Sequence, residues 1–316
     1  LPICRLWRTG VLHSCTQAFH ENYGGEIREF WCEQFERLRD RAKLVDIGTG
    51  NGSLALLAQQ SAIAKGIELE IHGVDLAEIS PSAVLNETSQ SHPSIIFHSC
   101  VSATNLPFES HAVGFVCAQY AFEYMPPHDT LREIMRVLTP SGRAAFIMHS
   151  EDSIIHSVSQ RQIEDFTYLT QENEIVRHAR DLIPFMASNG PHFTSRTSGE
   201  SVRARFNHAA EGVMSRVLEH EASYLLKRTA SRLHGIMHMA NLDSVEAQRL
   251  LTQLEVDLAD ENARLEDMAS ASTSDIGRKA LIESISRTYG RSASLAPITV
   301  NGACMGWAIA IDERRS

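Results

Sequence analysis

The sequence predicts an α/β protein: a doubly wound, mostly parallel sheet that closes with a C-terminal β-hairpin and carries a large helical insertion after its fifth strand. Three observations predict it. Strand-like and helix-like segments alternate from residue 43 to 150, the pattern that crossover connections convert into a parallel sheet. From about 151 to 290 the character is almost wholly helical. After Gly290 two β-prone runs return on either side of Asn301-Gly302, a pair suited to a type I′ turn, which needs positive φ at both central residues.

Taken in order, "EIREFWCEQFERLRD" at 26–40 sets Ile27, Phe30, Trp31, Phe35 and Leu38 at helical spacing, an amphipathic helix ahead of the first strand. Strand one is 43–47 and the next helix about 52–65, with Leu54, Leu57 and Ala58 at the helical period. "IELEIHGVDL" gives strand two, ending at Asp75; "PSIIFHSC" a short third strand around 94–100; "AVGFVCAQY" a buried fourth. "TLREIMRVL" follows as a helix with Leu131, Ile134, Met135 and Leu138 on one face, and "TPSG" stops it before strand five, "RAAFIMHS". Within the helical stretch "SNGPHFTSRTSGE" at 188–200 reads as a turn-rich link.

With 316 residues and 43% apolar composition, the chain can bury a substantial core, as roughly two domains or one with an insertion. No run of about 18 apolar residues occurs, and residues 1–30 lack the zones of a secretory signal. Its start at Leu1 suggests a segment ahead of the given sequence. Six scattered cysteines without a CxxC pair favour reduced thiols and a cytoplasmic setting. The net charge is −10, and residues 151–290 hold 15 Lys and Arg against 21 Asp and Glu. Such a surface repels phosphate backbones, so neither nucleic acid nor a membrane is an expected partner.

Between Val45 and Ala58 a strand breaks into three glycines and resumes as a helix. Corners of this kind hold ligands at the carboxyl edge of an α/β sheet. A dinucleotide fingerprint would read G-x-G-x-x-G, whereas Gly48, Gly50 and Gly52 read G-x-G-x-G. Preceded by Val45-Asp46-Ile47, and followed by Asp75, "NLPFESHAVGFVCAQYAFEYMP" and "LTPSGRAAF" in order, the stretch 43–150 resembles the class I S-adenosylmethionine-dependent methyltransferases of the small-molecule type.

That resemblance implies a Rossmann-like seven-stranded sheet and S-adenosyl-L-methionine as cofactor, with S-adenosyl-L-homocysteine as product. It divides the chain into an N-terminal helical lid segment (1–42), a cofactor-binding core (43–150), a helical insertion that caps the substrate (151–290) and the closing hairpin (291–316). It implies cofactor contacts from Asp46, Gly48, Thr49, Gly50 and Gly52, from Asp75 and Leu76, from Ser102 and Ala103 before "LPF", and from Gln119. Asp75 is expected to accept from both ribose hydroxyls, a task for an acceptor-only group. Where the family often carries an Asp, Ser102 stands, and Gly114 replaces the usual acidic residue at the start of strand four. Tyr23 and Arg28 resemble the lid of such enzymes, Arg28 forking onto the methionine carboxylate or pairing at the surface.

The implied catalytic residues are His149, Glu123 and Tyr120. His149, at the end of strand five, is either a proton acceptor with a pKa near ~6.5 or a structural histidine at the sheet edge. Glu123 stands beside the transferred methyl or at a helix N-terminus, where it stabilises the macrodipole. Gln119 and Tyr120 line the substrate floor or simply pack, and His156 is a weaker candidate. His234 and His238, at i and i+4, share zinc-ligand spacing without a third ligand, and read as packing or pocket-lining residues; no metal is expected. Arg196, Arg203 and Arg205 are solvated or receive an anionic group. The expected activity is methyl transfer to a small, largely apolar acceptor, preferably at oxygen, by a homodimer joined through the insertion. The alternatives are a non-catalytic cofactor-binding scaffold and an NAD(P)-dependent oxidoreductase.

Overall fold

The computed structural model describes residues 7–9, 11–12, 22–81, 95–189, 198–219 and 223–314. Two compact units form: Leu1–Ser157 with Ser270–Ser316, and Val158–Ala269.

The first unit is built on a seven-stranded sheet in the order β3-β2-β1-β4-β5-β7-β6. β1 (Ala42–Ile47), β2 (Leu69–Val74), β3 (Ile96–His98), β4 (Val113–Gln119) and β5 (Leu138–Met148) run parallel, while β6 (Arg291–Val300) and β7 (Ala303–Arg314) form the antiparallel hairpin. Alternation along each strand sorts side chains onto two apolar layers. Leu44, Phe115, Cys117, Ala145 and Ile147 face α1 (Gly25–Glu36) and α2 (Ser53–Lys65), packing with Ile27, Trp31, Phe35, Leu54 and Leu57. Val45, Ile47, Val116, Ala118, Phe146 and Met148 face the other way, with Leu131, Ile134 and Val137 of α3 (Pro127–Val137). Both faces are covered, which is why strands four and five read as continuous apolar runs.

Local chemistry sets the element ends. Gly52 (φ +93°) caps the start of α2 and Gly66 (φ +71°) its end; a left-handed cap is nearly free for glycine. Pro127 opens α3, where its missing N–H costs nothing. The expected hairpin is present, with φ +51° at Asn301 and +79° at Gly302. "TPSG" departs from expectation. Instead of a turn between helix and strand it is extended chain inside β5, which pairs Leu138 with Val113, shifts register, and resumes at Arg143 opposite Phe115. Gly142 is required there, since a Cβ would lie 2.9 Å from the Val113 carbonyl oxygen.

The second unit is helical. It takes in most of α4 (Ile154–Thr167), a π-helical turn (Tyr168–Glu172), α5 (Ile175–Asn189), α6 (Ser198–Glu219), α7 (Tyr224–Met239) and most of α8 (Ser244–Ala271). Its core gathers Leu169, Ile183, Val213, Leu226, Leu251 and Leu254. Asp165 is buried there, accepting from Arg216 Nε (2.7 Å) and Ser223 Oγ (2.6 Å), so its charge is paired. The last helix of the stretch, α9 (Asp275–Tyr289), belongs to the sheet unit, where Ile285 is fully buried.

Candidate functional site

The functional residues collect at the carboxyl ends of β1, β2, β4 and β5. β1 is flanked by β2 and β4, so the chain reverses direction across the sheet at β1, the switch point where open α/β sheets bind ligands.

The glycine corner is fixed first by the protein's own contacts. Gly48 and Gly50 have φ of +69° and +54°; a Cβ on Gly48 would meet that of Ala121 at 2.4 Å. Asp46 is 1% exposed and accepts from Thr49 Oγ1 at 2.6 Å. Desolvation raises its pKa to about 7, with the neighbouring Asp75 adding to the rise. At the end of β2 the Asp75 carboxylate is aimed by two backbone donors, Gly50 N to Oδ2 and Ala77 N to Oδ1, both at 2.8 Å. Burial raises its pKa too. Two buried carboxylates within one corner, both with raised pKa, are acceptors suited to a ligand with positive charge. A sulfonium with an α-amino group and ribose hydroxyls to donate fits them.

Beyond β4 the chain turns sharply: Tyr120 takes φ +51° and its ring lies parallel to that of His149, 4.2 Å away. The Tyr120 hydroxyl donates to Met305 O at 3.0 Å. Gln119 accepts from Trp31 Nε1 at 2.5 Å, leaving its Nε2 buried without a hydrogen-bond partner. Glu123 lies in a 3₁₀ turn, Phe122–Tyr124, ahead of α3. Its Oε1 accepts the His149 backbone N–H at 2.7 Å, while Oε2 is out of solvent with no hydrogen-bond partner. Glu123 is the acidic residue in the first turn of this short helix, and Asp129 is that of α3.

The titration expected of His149 is corrected. It sits just past β5, 3% exposed, and desolvation, helped by the nearby His156, lowers its pKa to about 3. It is neutral throughout the physiological range, and Nδ1 has no hydrogen-bond partner. Glu123 moves the other way: desolvation lifts it to about 8 against the pull of the His149 N–H.

Other predicted residues fall less centrally. Leu76 is 65% exposed beside Asp75, and Ala103 is core. The Ser102 hydroxyl is engaged in its own turn, 2.8 Å from Thr104 Oγ1. Tyr23 is buried against Ile27 and Trp31, and Arg28 lies on the exposed face of α1. His234 and His238 are exposed, on the side of α7 opposite buried Leu233 and Ile236, so neither packs. Arg203 is half-buried and Arg205 exposed, while Arg196 lies outside the described residues. No group of His, Cys, Asp and Glu suited to a metal occurs among the described residues, and no described helix is long and apolar enough to cross a membrane. Sequence reasoning missed Asn51, Trp31 and the Met305 carbonyl. Only Asn51 carried a signal, as a turn-forming residue between two glycines.

Residues 45–146 match the family model described as "Methyltransferase domain". Among solved structures, an S-adenosylmethionine-dependent methyltransferase from Aquifex aeolicus is 19% identical, over 39% of this chain and 64% of its own, with a TM-score of 0.33. Phosphoethanolamine N-methyltransferase 2 of Haemonchus contortus, in complex with S-adenosyl-L-methionine, is 15% identical over 94% of this chain and 54% of its own, TM-score 0.38. An S-adenosylmethionine-dependent methyltransferase from Mesorhizobium loti is 16% identical over 42% and 56%, TM-score 0.32. The chain thus spans less than two thirds of each of these proteins. A search of curated proteins gives no match.

Proposed function

From the match of residues 45–146 to a methyltransferase domain, we propose that this chain is a class I, S-adenosylmethionine-dependent enzyme that methylates a hydroxyl of a small, largely apolar acceptor. The cofactor supplies a methyl group activated on a sulfonium. The protein's share is to hold that group, to align the acceptor, and to take the hydroxyl proton. Asp46, Asp75 and the amides of the glycine corner hold it in this reading, with Leu76 beside the adenosine end.

The observation that carries the proposal is Glu123. One carboxyl oxygen is held by the His149 N–H, the other is buried and unpartnered, and the pKa is lifted to about 8. A base near the working pH is best matched to moving a proton, so Glu123 is the proton acceptor. His149, with a pKa of about 3, positions Glu123 through its backbone and Tyr120 through ring stacking. The net charge of −10 favours a small acceptor over a polyanion. The helical unit, Val158–Ala269, is assigned the selection of that acceptor.

The test is incubation with methyl-labelled S-adenosylmethionine and extracts of the source organism, followed by identification of the labelled product. Label on an ether oxygen supports the reading, whereas label on nitrogen, carbon or a carboxylate replaces it. Titration with S-adenosylhomocysteine and NAD separates this cofactor from a nicotinamide. Asp75→Ala is expected to weaken S-adenosylhomocysteine binding by about 1.5–3 kcal/mol, the range for hydrogen bonds to a charged acceptor; unchanged affinity by calorimetry removes Asp75 from the site. Hydrogen exchange in 158–269 is expected to slow when cofactor and acceptor are both present. Protection confined to the sheet unit would assign the helices to a partner instead.

A further inference from the structure

Asn51 stands between the second and third glycines of the corner, and its side chain is fully buried. Its Nδ2 donates to the carbonyl oxygens of Trp7 (2.9 Å) and Val11 (2.8 Å), and its Oδ1 accepts from Ser80 N at 3.1 Å. Two carbonyls facing one end and an N–H facing the other leave a single consistent orientation for the amide. One side chain therefore ties together Trp7, Val11, the glycine turn and the segment that follows Asp75.

Trp7 is what this tie holds in place. It is 8% exposed and packs with Ala77, Ile79, Val11 and Phe97. Its ring lies so close over Gly50 that a Cβ there would come within 2.7 Å of Cζ2 and Cη2. Gly50 and Ala77 are also the residues whose backbone amides aim the two oxygens of Asp75. The indole thus rests on the same two residues that orient the ribose acceptor. Arg8 adds an ion pair to Glu78 at 2.5 Å, but both side chains are exposed and the pair contributes little.

Resting on the reading of Asp75 as ribose acceptor, we propose that Trp7 forms a wall of the cofactor site along the adenosine end, and that Asn51 is the positioning residue that holds it there. An indole offers a large, flat, rigid surface at low entropic cost. Asn51 satisfies the buried carbonyl of Trp7 and the partly buried one of Val11, and leaving such groups unpaired costs free energy.

The test is titration of the full chain with S-adenosylhomocysteine, read by calorimetry and by tryptophan emission. Trp7→Ala and Asn51→Ala are each expected to raise Kd by about 5–30-fold, the equivalent of one or two hydrogen bonds or a lost apolar wall. The emission change that accompanies binding is expected to shrink in Trp7→Phe, which keeps Trp31 and Trp307. In Asn51→Ala, Trp7 is expected to become open to acrylamide quenching. Unchanged affinity in Trp7→Ala, with an intact emission change in Trp7→Phe, overturns the proposal while leaving the cofactor assignment standing. Tighter binding by Trp7→Ala overturns it as well, because the indole would then stand in the cofactor's place. A wild-type protein that binds no S-adenosylhomocysteine overturns both. Should Asn51→Ala fail to fold, the two Trp7 variants still decide.

Discussion

Glu123→Gln is expected to lower turnover of a hydroxyl acceptor by about 10²–10⁴-fold, the contribution of a positioned proton acceptor, with S-adenosylhomocysteine affinity nearly unchanged. Glutamine keeps the shape and one carbonyl oxygen for the His149 N–H, but cannot take a proton. With a carboxyl pKa of about 8, wild-type activity is expected to rise with pH through that value and then level off, and the variant should lack this limb. Linkage separates catalysis from folding. A carboxyl raised on folding contributes stability that is present below the ordinary range near ~4.3 and is lost as pH rises through about 8. The variant carries no such loss, so at pH 9 it should melt no lower than wild type, and its inactivity there cannot come from unfolding. Equal turnover in the two proteins, or a profile that turns near pH 3, would return the role to His149 or to no base at all.

The second large effect lies in cofactor binding. Asp46, with a pKa of about 7 because of burial, is mostly protonated below neutrality in the free protein. The cofactor brings positive charge, which favours the ionised carboxylate. Binding is therefore expected to release a proton, and affinity to fall about tenfold per pH unit below 7, or roughly 100-fold between pH 7 and 5. Of the titratable groups that face Asp46, Asp75 is shifted upward by burial as well, while the buried Cys117 thiol is pushed well up and stays neutral. Calorimetry in buffers of different ionisation heat reads the released proton directly. Asp46→Asn is expected to flatten the slope, and an affinity independent of pH in wild type would show that Asp46 does not face the cofactor's charge.

Much of the framework was legible because it rests on local chemistry. The strand, glycine turn and helix from Val45 to Ala58, the proline at the start of α3, and the Asn301-Gly302 hairpin each follow from backbone sterics that act within a few residues. The misread pieces depend on distant chain. "TPSG" becomes strand because Val113 of β4 offers Leu138 a partner, and nothing within four residues signals that. The site divides the same way. The glycine corner could be found from spacing, and Asp46 and Asp75 from the family resemblance, but the pKa shifts of His149 and Glu123 are set by burial, and burial is a property of the packed fold. The tie made by Asn51 was not legible because its partners, Trp7, Val11 and Ser80, are 29 to 44 residues away along the chain.

The hairpin has a consequence for how the chain is made. β7 lies between β5 and β6, pairing Met148 with Trp307, and Met305 accepts the hydroxyl of Tyr120, 185 residues earlier. During synthesis the five parallel strands leave the ribosome first, and β5 waits as an open edge while the whole helical unit is translated. At roughly 5–20 residues per second that wait lasts on the order of ten seconds or more. Open edges invite pairing with other chains, and contacts so distant in sequence form slowly. The nascent protein therefore passes through a stage with its helices complete and its sheet unfinished, and it is at this stage, before the last strand arrives, that it is most exposed to aggregation and has most use for a chaperone.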